Sequence, residues 1–260
     1  MGAAEASYLE EIVRRESGIV IARDKGYLLE TRLLPVAFRH GLDGLASMAS
    51  KLKATNDPEL LRDVIEAMAA GETGLFRAHV PFTAQPQEIL PKLIRARAEA
   101  KTLRILSAGC ATGQEPYSVA MLLQDCGLPL KDWKIDILAV DISQEALGYA
   151  RAAAYTQLEV QRGLPARCLV TYFTQGEDQR WLVAPQAKDM VQFSQVNLIA
   201  GLGGISGCDL ILCRYVLPNF EPPTQLSVLQ SLRWAVLENG GVMVGLNERG
   251  MNSFRETDSS

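Results

Sequence analysis

Histidine is almost missing from these 260 residues: only His40 and His79 occur. A reaction that needs an imidazole base has few places to run in such a chain. Cysteine is sparse too, and Cys110, Cys126, Cys168, Cys208 and Cys213 stand at spacings that match no zinc pattern. They read as free buried thiols, and no metal is expected. No apolar run approaches the roughly 20 residues of a membrane span, and the N-terminus lacks a basic segment followed by an apolar stretch. Membrane insertion and export are therefore not expected, and a cytoplasmic location is. A basic excess is also lacking: 26 Lys and Arg against 30 Asp and Glu give a net charge of −4. Phosphate neutralisation needs a concentrated basic surface, so a nucleic-acid partner is not expected either.

What is present suits a globular chain with a sizeable core, with 48% apolar and 22% charged residues. The segments YLEEIVRRESGI, KGYLLETRLLPVAFRHGL, GLASMASKL and PELLRDVIEAMAA, between Tyr8 and Ala70, each carry apolar residues at three- and four-residue intervals and predict helices. GETGLFRAHVPF breaks that run, and QPQEILPKLIRARAEA supplies a further amphipathic helix. From Leu103 the pattern changes to short apolar strands, LRILSA, IDILAV, DLILCR and GGVMVGL, with helix-like segments between them. Such alternation predicts a parallel sheet covered on both faces. LVTYFTQ, DQRWLVAP and DMVQFSQV read as short strands of a small antiparallel insertion. The expected class is α/β: a helical N-terminal domain (1–82), a linker helix (83–100), and a doubly wound domain (101–250). The β-hairpin insertion falls at about 168–194, and 251–260 reads as a tail without pattern.

The turn after the first strand, SAGCATGQEPYS, is stripped of bulk. Gly109 and Gly113 let a ligand approach the backbone, and Ala108, Ala111 and Thr112 keep the loop slim. Their G-x-x-x-G spacing lacks the dinucleotide layout G-x-G-x-x-G, and no Lys-Ser/Thr pair follows to grip phosphates. An acid follows instead. Glu115 lies where a helix N-terminus favours a carboxylate, and it suits either a helix start or a ligand ammonium group. Asp141, ending IDILAVD, suits either a cap for the helix near Ser143 or the two hydroxyls of a ribose. A slim turn with an acid after each of the first two strands points to S-adenosylmethionine (SAM). Lys25, Arg32 and Arg39 against Glu30 alone make a basic helix face, solvated or docked on an acidic partner.

LRILSAGCATGQEPYSVAMLL resembles the first SAM motif of the chemotaxis receptor methyltransferase (CheR) family, S-A-x-C/A-S/T-G-E-E-P-Y-S. AVDISQEALGYAR, EVQRGLPARCLVTYF, VQFSQVNLI and DLILCRYVLPNF are similar to its later motifs in the same order. ESGIVIARDKGYLLETRL follows its helical domain, and the likeness runs from about residue 8 to 248. The resemblance implies methyl transfer from SAM to glutamate side chains on the cytoplasmic helices of chemoreceptors, leaving S-adenosylhomocysteine (SAH). It implies Glu115 at the SAM ammonium, Asp141 at the ribose, Asn197 with Leu198 at the adenine, and Arg214 with Tyr215 closing the other side, around Gly109 and Gly113. GETGLFR matches N-x-T-x-F-F-R, so Thr73 and Arg77 carry over as cofactor-binding and catalytic positions. Lys25, Arg32 and Arg39 would face the acidic receptor helices.

Departures from the pattern gather on the methyl-transfer side. Gly71 replaces an Asn, Leu75 a Phe and Tyr215 an Asn, while Asn219 replaces a tyrosine that the family places near the transferred methyl. GLNERG replaces the closing G-H-S-E pattern. Two alternatives stay open on these residues: a SAM- or SAH-binding regulator or scaffold of a chemotaxis-like pathway with little transfer, and a small-molecule methyltransferase.

Overall fold

The computed structural model describes residues 2–22, 25–77, 86–125, 130, 132–245 and 253–254. Four helices open the chain: α1 (Ala3–Ser17), α2 (Tyr27–Arg39), α3 (Leu45–Thr55) and α4 (Pro58–Ala69). Each turns an apolar stripe inward, so that Leu9 and Val13, Leu29 and Leu33, Met48 and Leu52, and Leu60 and Val64 meet in one core. The start of α4 follows from its sequence. Pro58 needs no backbone donor there, and the Asp57 carboxylate accepts from the amides of Glu59 and Leu60 at 3.1 and 3.2 Å.

After α5 (Pro86–Ala96) come β1 (Thr102–Ala108), α6 (Gln114–Asp125), β2 (Lys134–Asp141) and α7 (Gln144–Ala152). A small region follows with β3 (Ala154–Tyr155), α8 (Gln157–Gln161), α9 (Ala166–Tyr172), β4 (Phe173–Gln175), β5 (Trp181–Val183) and α10 (Pro185–Lys188). The chain ends with β6 (Val191–Gln195), β7 (Cys208–Cys213), α11 (Pro222–Ala235), β8 (Val236–Val244) and β9 (Ser253–Phe254). The main sheet runs β6-β2-β1-β7-β8-β9, parallel except for the antiparallel last pair. One face packs on α6 and α7 through Tyr117, Met121 and Leu147, the other on α11 through Val228, Leu229 and Leu232. The sheet is therefore doubly wound. Strand order reverses between β1 and β7, which opens a crevice at their carboxyl ends.

Three local expectations differ from the structure. Val191–Gln195, read as part of the insertion, is the edge strand of the main sheet, paired parallel to β2. Being half-solvated, it alternates in burial as an insertion strand would, and its sequence looks the same in both places. The insertion sheet instead recruits β3, giving the order β3-β5-β4. LVTYFTQ is helical up to Tyr172 and only then a strand; Pro165 sets the helix start, and Cys168 and Tyr172 bury at helical spacing. Within the tail, Ser253 and Phe254 pair with Val242 and Gly241, a strand too short to leave a pattern. Cys110, Cys168, Cys208 and Cys213 are buried and in no disulfide, while Cys126, His79 and most of GLNERG lie outside the described residues. His40 bonds Asp63 across α2 and α4 at 2.9 Å. No helix among the described residues is long and apolar enough to cross a membrane.

A buried acid fastens α5 to the sheet. Asp209, 3% exposed on β7, accepts from the Arg104 amide at 2.7 Å and pairs with the Arg97 guanidinium at 2.6 Å. Asp209→Ala leaves that amide and cation without their acceptor, a loss on the order of 1–3 kcal/mol. Thermal unfolding should show Tm lowered by roughly 2–4 °C for each kcal/mol. An unchanged Tm would contradict this clamp.

Candidate functional site

The loop between β1 and α6 is held from below by β2, whose Val140 carbonyl accepts from the amides of Gly109 and Cys110 at 2.8 and 3.0 Å. Gly109 has φ +74°, and a Cβ there would lie 2.3 Å from Val216 Cγ2, so neither the conformation nor the space admits a side chain. Gly113, at φ +89°, has another role. A Cβ there would meet Ala150 at 2.9 Å, so this glycine lets α6 and α7 approach and does not line the cleft.

Glu115 points back from the first turn of α6. Its Oε1 accepts from Ser107 Oγ at 2.8 Å and its Oε2 from Arg214 Nη1 at 3.2 Å. Arg214 Nη2 donates to the Arg77 carbonyl at 2.7 Å, so one buried guanidinium joins the β1 turn, the end of β7 and the segment after α4. Burial pushes the Glu115 carboxyl above its ordinary range, opposed by the Arg214 charge and the Ser107 bond. Asp141 sits at the tip of β2. Its Oδ2 accepts from the Ala111 amide at 2.8 Å and its Oδ1 from the Ser143 amide at 3.0 Å. The helix cap is Ser143 itself, whose Oγ accepts from the Ala146 amide at 3.0 Å. Asp141 is thereby left facing the cleft. Its carboxyl is also held above the ordinary range, chiefly by burial, against bonds from the Ser143, Ala111 and Ile142 amides and with the Glu66 charge adding to the rise.

A cleft of about 580 Å³ lies between the helical part and the carboxyl ends of the strands. Arg77, Gly109, Asp141, Asn197, Leu198, Arg214 and Tyr215 all line it. Thr73 and Glu115 line a small adjoining recess that shares Arg77, Gly109, Arg214 and Tyr215 with the cleft. Asn197 has two structural duties as well: its Oδ1 caps the Ile199 amide at 3.3 Å, and its Nδ2 donates to the Glu16 carbonyl at 2.7 Å. Tyr215 holds φ +62°, uncommon for an aromatic residue, with its ring centroid 4.8 Å below the Arg77 guanidinium and 5.5 Å from that of Arg214. Asn219 Nδ2 donates to the Tyr215 carbonyl at 3.1 Å and braces that turn. Of the basic face, Lys25 and Arg32 line the cleft, while Arg39 joins Arg32 and Arg62 in a side groove beside α4.

Sequence reasoning missed Ser107 and Glu66. A hydroxyl at the buried carboxyl end of the LRILSA strand needs a partner, and that is the signal for Ser107. Glu66, which reaches across to α7, looks like any polar residue on an amphipathic helix. The cleft wall from Ser17 to Ile21 was missed as well.

A doubly wound sheet, a side-chain-free first turn and a cleft-facing acid at the tip of the second strand define a nucleotide-type site. Its volume suits a small organic cofactor, and its donor set suits SAM. Residues 71–258 match the family model described as CheR methyltransferase, SAM binding domain. The chain belongs to the CheR methyltransferase family. It is 31% identical to Chemotaxis protein methyltransferase 1 of Pseudomonas aeruginosa over 253 residues, covering 95% of this chain and 92% of that one. It is 31% identical to a chemotaxis protein methyltransferase of Vibrio parahaemolyticus, covering 90% and 84%, and 30% identical to one of Salmonella typhimurium, covering 95% and 84%.

The raised carboxyls give a pH dependence with a definite sign. A carboxyl whose folded pKa is raised stabilises the fold while protonated, and that contribution is lost as pH rises through the folded value. A ligand presenting an ammonium or hydroxyl to Glu115 or Asp141 favours the ionised form, so its binding expels protons. SAH affinity should fall on acidification before the ordinary values of 4.5 and 3.8 are reached, with proton release. Calorimetric titration in buffers of different ionisation enthalpy reads this directly. Affinity that holds until the pH has fallen to those ordinary values, with no proton release, would contradict it.

Proposed function

We propose that this chain transfers the methyl group of SAM to glutamate side chains on the cytoplasmic helices of chemoreceptors, giving glutamyl methyl esters, and that it works in the cytoplasm. On this reading residues 101–250 are the SAM-binding unit, 83–100 the link, and 1–82 the unit that meets the receptor. The observation that carries the proposal is Arg77. Its guanidinium is stacked on Tyr215 and anchored by Nη1 on the Glu72 carbonyl at 2.6 Å, beside the recess that holds Glu115 and Thr73.

When bound, SAM supplies an electrophilic methyl on a sulfonium. Everything else is asked of the protein. A glutamate acceptor has an ordinary pKa of roughly 4.3 and is already an anion at neutral pH, so it needs alignment and partial desolvation and no general base. Arg77, whose Nη1 holds the Glu72 carbonyl and whose Nη2 lies 3.6 Å from the Glu72 carboxylate, turns its remaining N–H donors to that anion in exchange for the exposed Glu72 pairing, and Thr73 lies beside it. Glu115, with lone pairs left after Ser107 and Arg214, takes the ammonium; Asp141 takes the ribose hydroxyls; Asn197 and Leu198 flank the adenine. Well-aligned encounters of this kind supply on the order of 7–11 kcal/mol.

Titration of SAH into the wild type and Asp141→Ala, followed by alkali-labile methyl release from receptor-containing membranes with labelled SAM, tests the assignment. Binding that depends on Asp141, with labile methyl incorporated, is expected. Binding without incorporation would replace the proposal with the sensor reading, and turnover of a free carboxylic acid without receptor would favour a small-molecule enzyme.

The basic face gives a separate prediction. Reversing Arg32 and Arg39 to Glu should raise the receptor KM several-fold and leave kcat much less affected, since rim charges act mainly on encounter. Because Arg32 Nη1 also donates to the Met68 carbonyl at 2.9 Å, Arg39→Glu alone serves as the cleaner variant. Unchanged receptor kinetics would return the face to plain solvation.

A further inference from the structure

We propose that Glu66 of α4 is a positioning residue for the nucleotide side of the site: it locks the Asp141–Ser143 turn to the helical part, so that seating of that part and SAM binding become one linked event. The proposal rests on the assignment of Asp141 to the ribose.

Glu66 crosses from one part of the fold to the other. Its Oε1 accepts from the Gln144 amide at 2.7 Å and its Oε2 accepts from Ser143 Oγ. Asp141 grips the same serine from the opposite side, taking its amide on Oδ1, while its Oδ2 takes the Ala111 amide of the glycine turn. Ser143 is thus bonded at its backbone by the cleft acid and at its side chain by Glu66. Any tilt of α4 is passed to the turn that aims Asp141.

Two observations separate this from an ordinary solvated glutamate. Arg39 and Arg62 line the same groove, yet among the described residues Glu66 makes no ion pair and directs its oxygens to the first turn of α7. The placement also has an electrostatic cost, because the Glu66 charge helps push the Asp141 carboxyl up. Donors at a helix N-terminus offset such a cost. Just beyond Glu66 on the same helix, Met68 and Ala69 form the cleft wall, and the Met68 carbonyl is held by Arg32. The carboxylate therefore sits where wall and turn can be fixed together. Linkage then runs both ways: SAH binding must steady α4, and loosening α4 must weaken SAH.

The test is SAH titration with amide hydrogen exchange on the full chain, comparing the wild type with Glu66→Ala and Glu66→Gln. Glu66→Ala should raise the SAH Kd about ten-fold. Glu66→Gln keeps an oxygen for the Gln144 amide and should recover most of the affinity. In the wild type and Glu66→Gln, SAH should slow exchange in α4; in Glu66→Ala it should protect only the Asp141 turn. A Kd for Glu66→Ala within about two-fold of wild type would overturn the proposal, as would equal loss in both variants accompanied by a lowered Tm. Loss of binding in Asp141→Ala alone would leave the ribose assignment standing and remove this proposal; retention in Asp141→Ala would remove both.

Discussion

The site depends on one buried cation. Arg214, 7% exposed, reaches Glu115 on one side and the Arg77 carbonyl on the other, so the β1 turn, the end of β7 and the segment after α4 share a single guanidinium. A buried ion pair is worth its desolvation only when further hydrogen bonds satisfy both ions. Here Ser107 adds a hydroxyl donor to the carboxylate, and the Arg77 carbonyl takes a second bond from the guanidinium. Burial and pairing pull Glu115 in opposite directions, and burial wins, which leaves the carboxyl raised even beside its cation. Such a group answers readily to a second cation.

Around that pair, backbone conformation is used to make room. Gly109, Ala111 and Tyr215 all hold positive φ within one crevice. For the two residues with side chains this costs roughly 1–2 kcal/mol each, strain of the kind that gathers at functional sites. Ala111 gains the Asp141 carboxylate for its amide, and Tyr215 gains the Asn219 brace and the stack under Arg77. The helical part completes the enclosure: the Val20 amide bonds the Asn219 carbonyl at 2.8 Å, and the Asn197 side chain bonds the end of α1. The end of α1 and the segment just after it therefore brace two walls of the cleft, at Asn197 and at Asn219.

Much of this was legible in the sequence, for reasons that differ by residue. The helices of the first part and the four central strands announce themselves because burial on one stripe, or on both faces, imposes an apolar period. Gly109, Glu115 and Asp141 stand out in the sequence as a turn free of bulk with an acid after each of the first two strands, and the structure brings all three to one crevice. Gly113 shared the glycine signal but serves helix packing, since residue type alone does not say which wall a missing Cβ faces. The edge strand β6 was misplaced because pairing partner is a long-range property. The swap of Tyr215 and Asn219 against the family pattern was visible as two departures; only their shared turn and the Arg77 stack show them acting together.

The most direct measurement is a crystal structure of the chain with SAH. The ribose hydroxyls should lie on Asp141 and the amino group on Glu115, with the Glu115–Arg214 pair intact and Tyr215 still under Arg77. A nucleotide seated in the side groove beside α4, or a Glu115 that has left Arg214 to bind it, would contradict this assignment of the site.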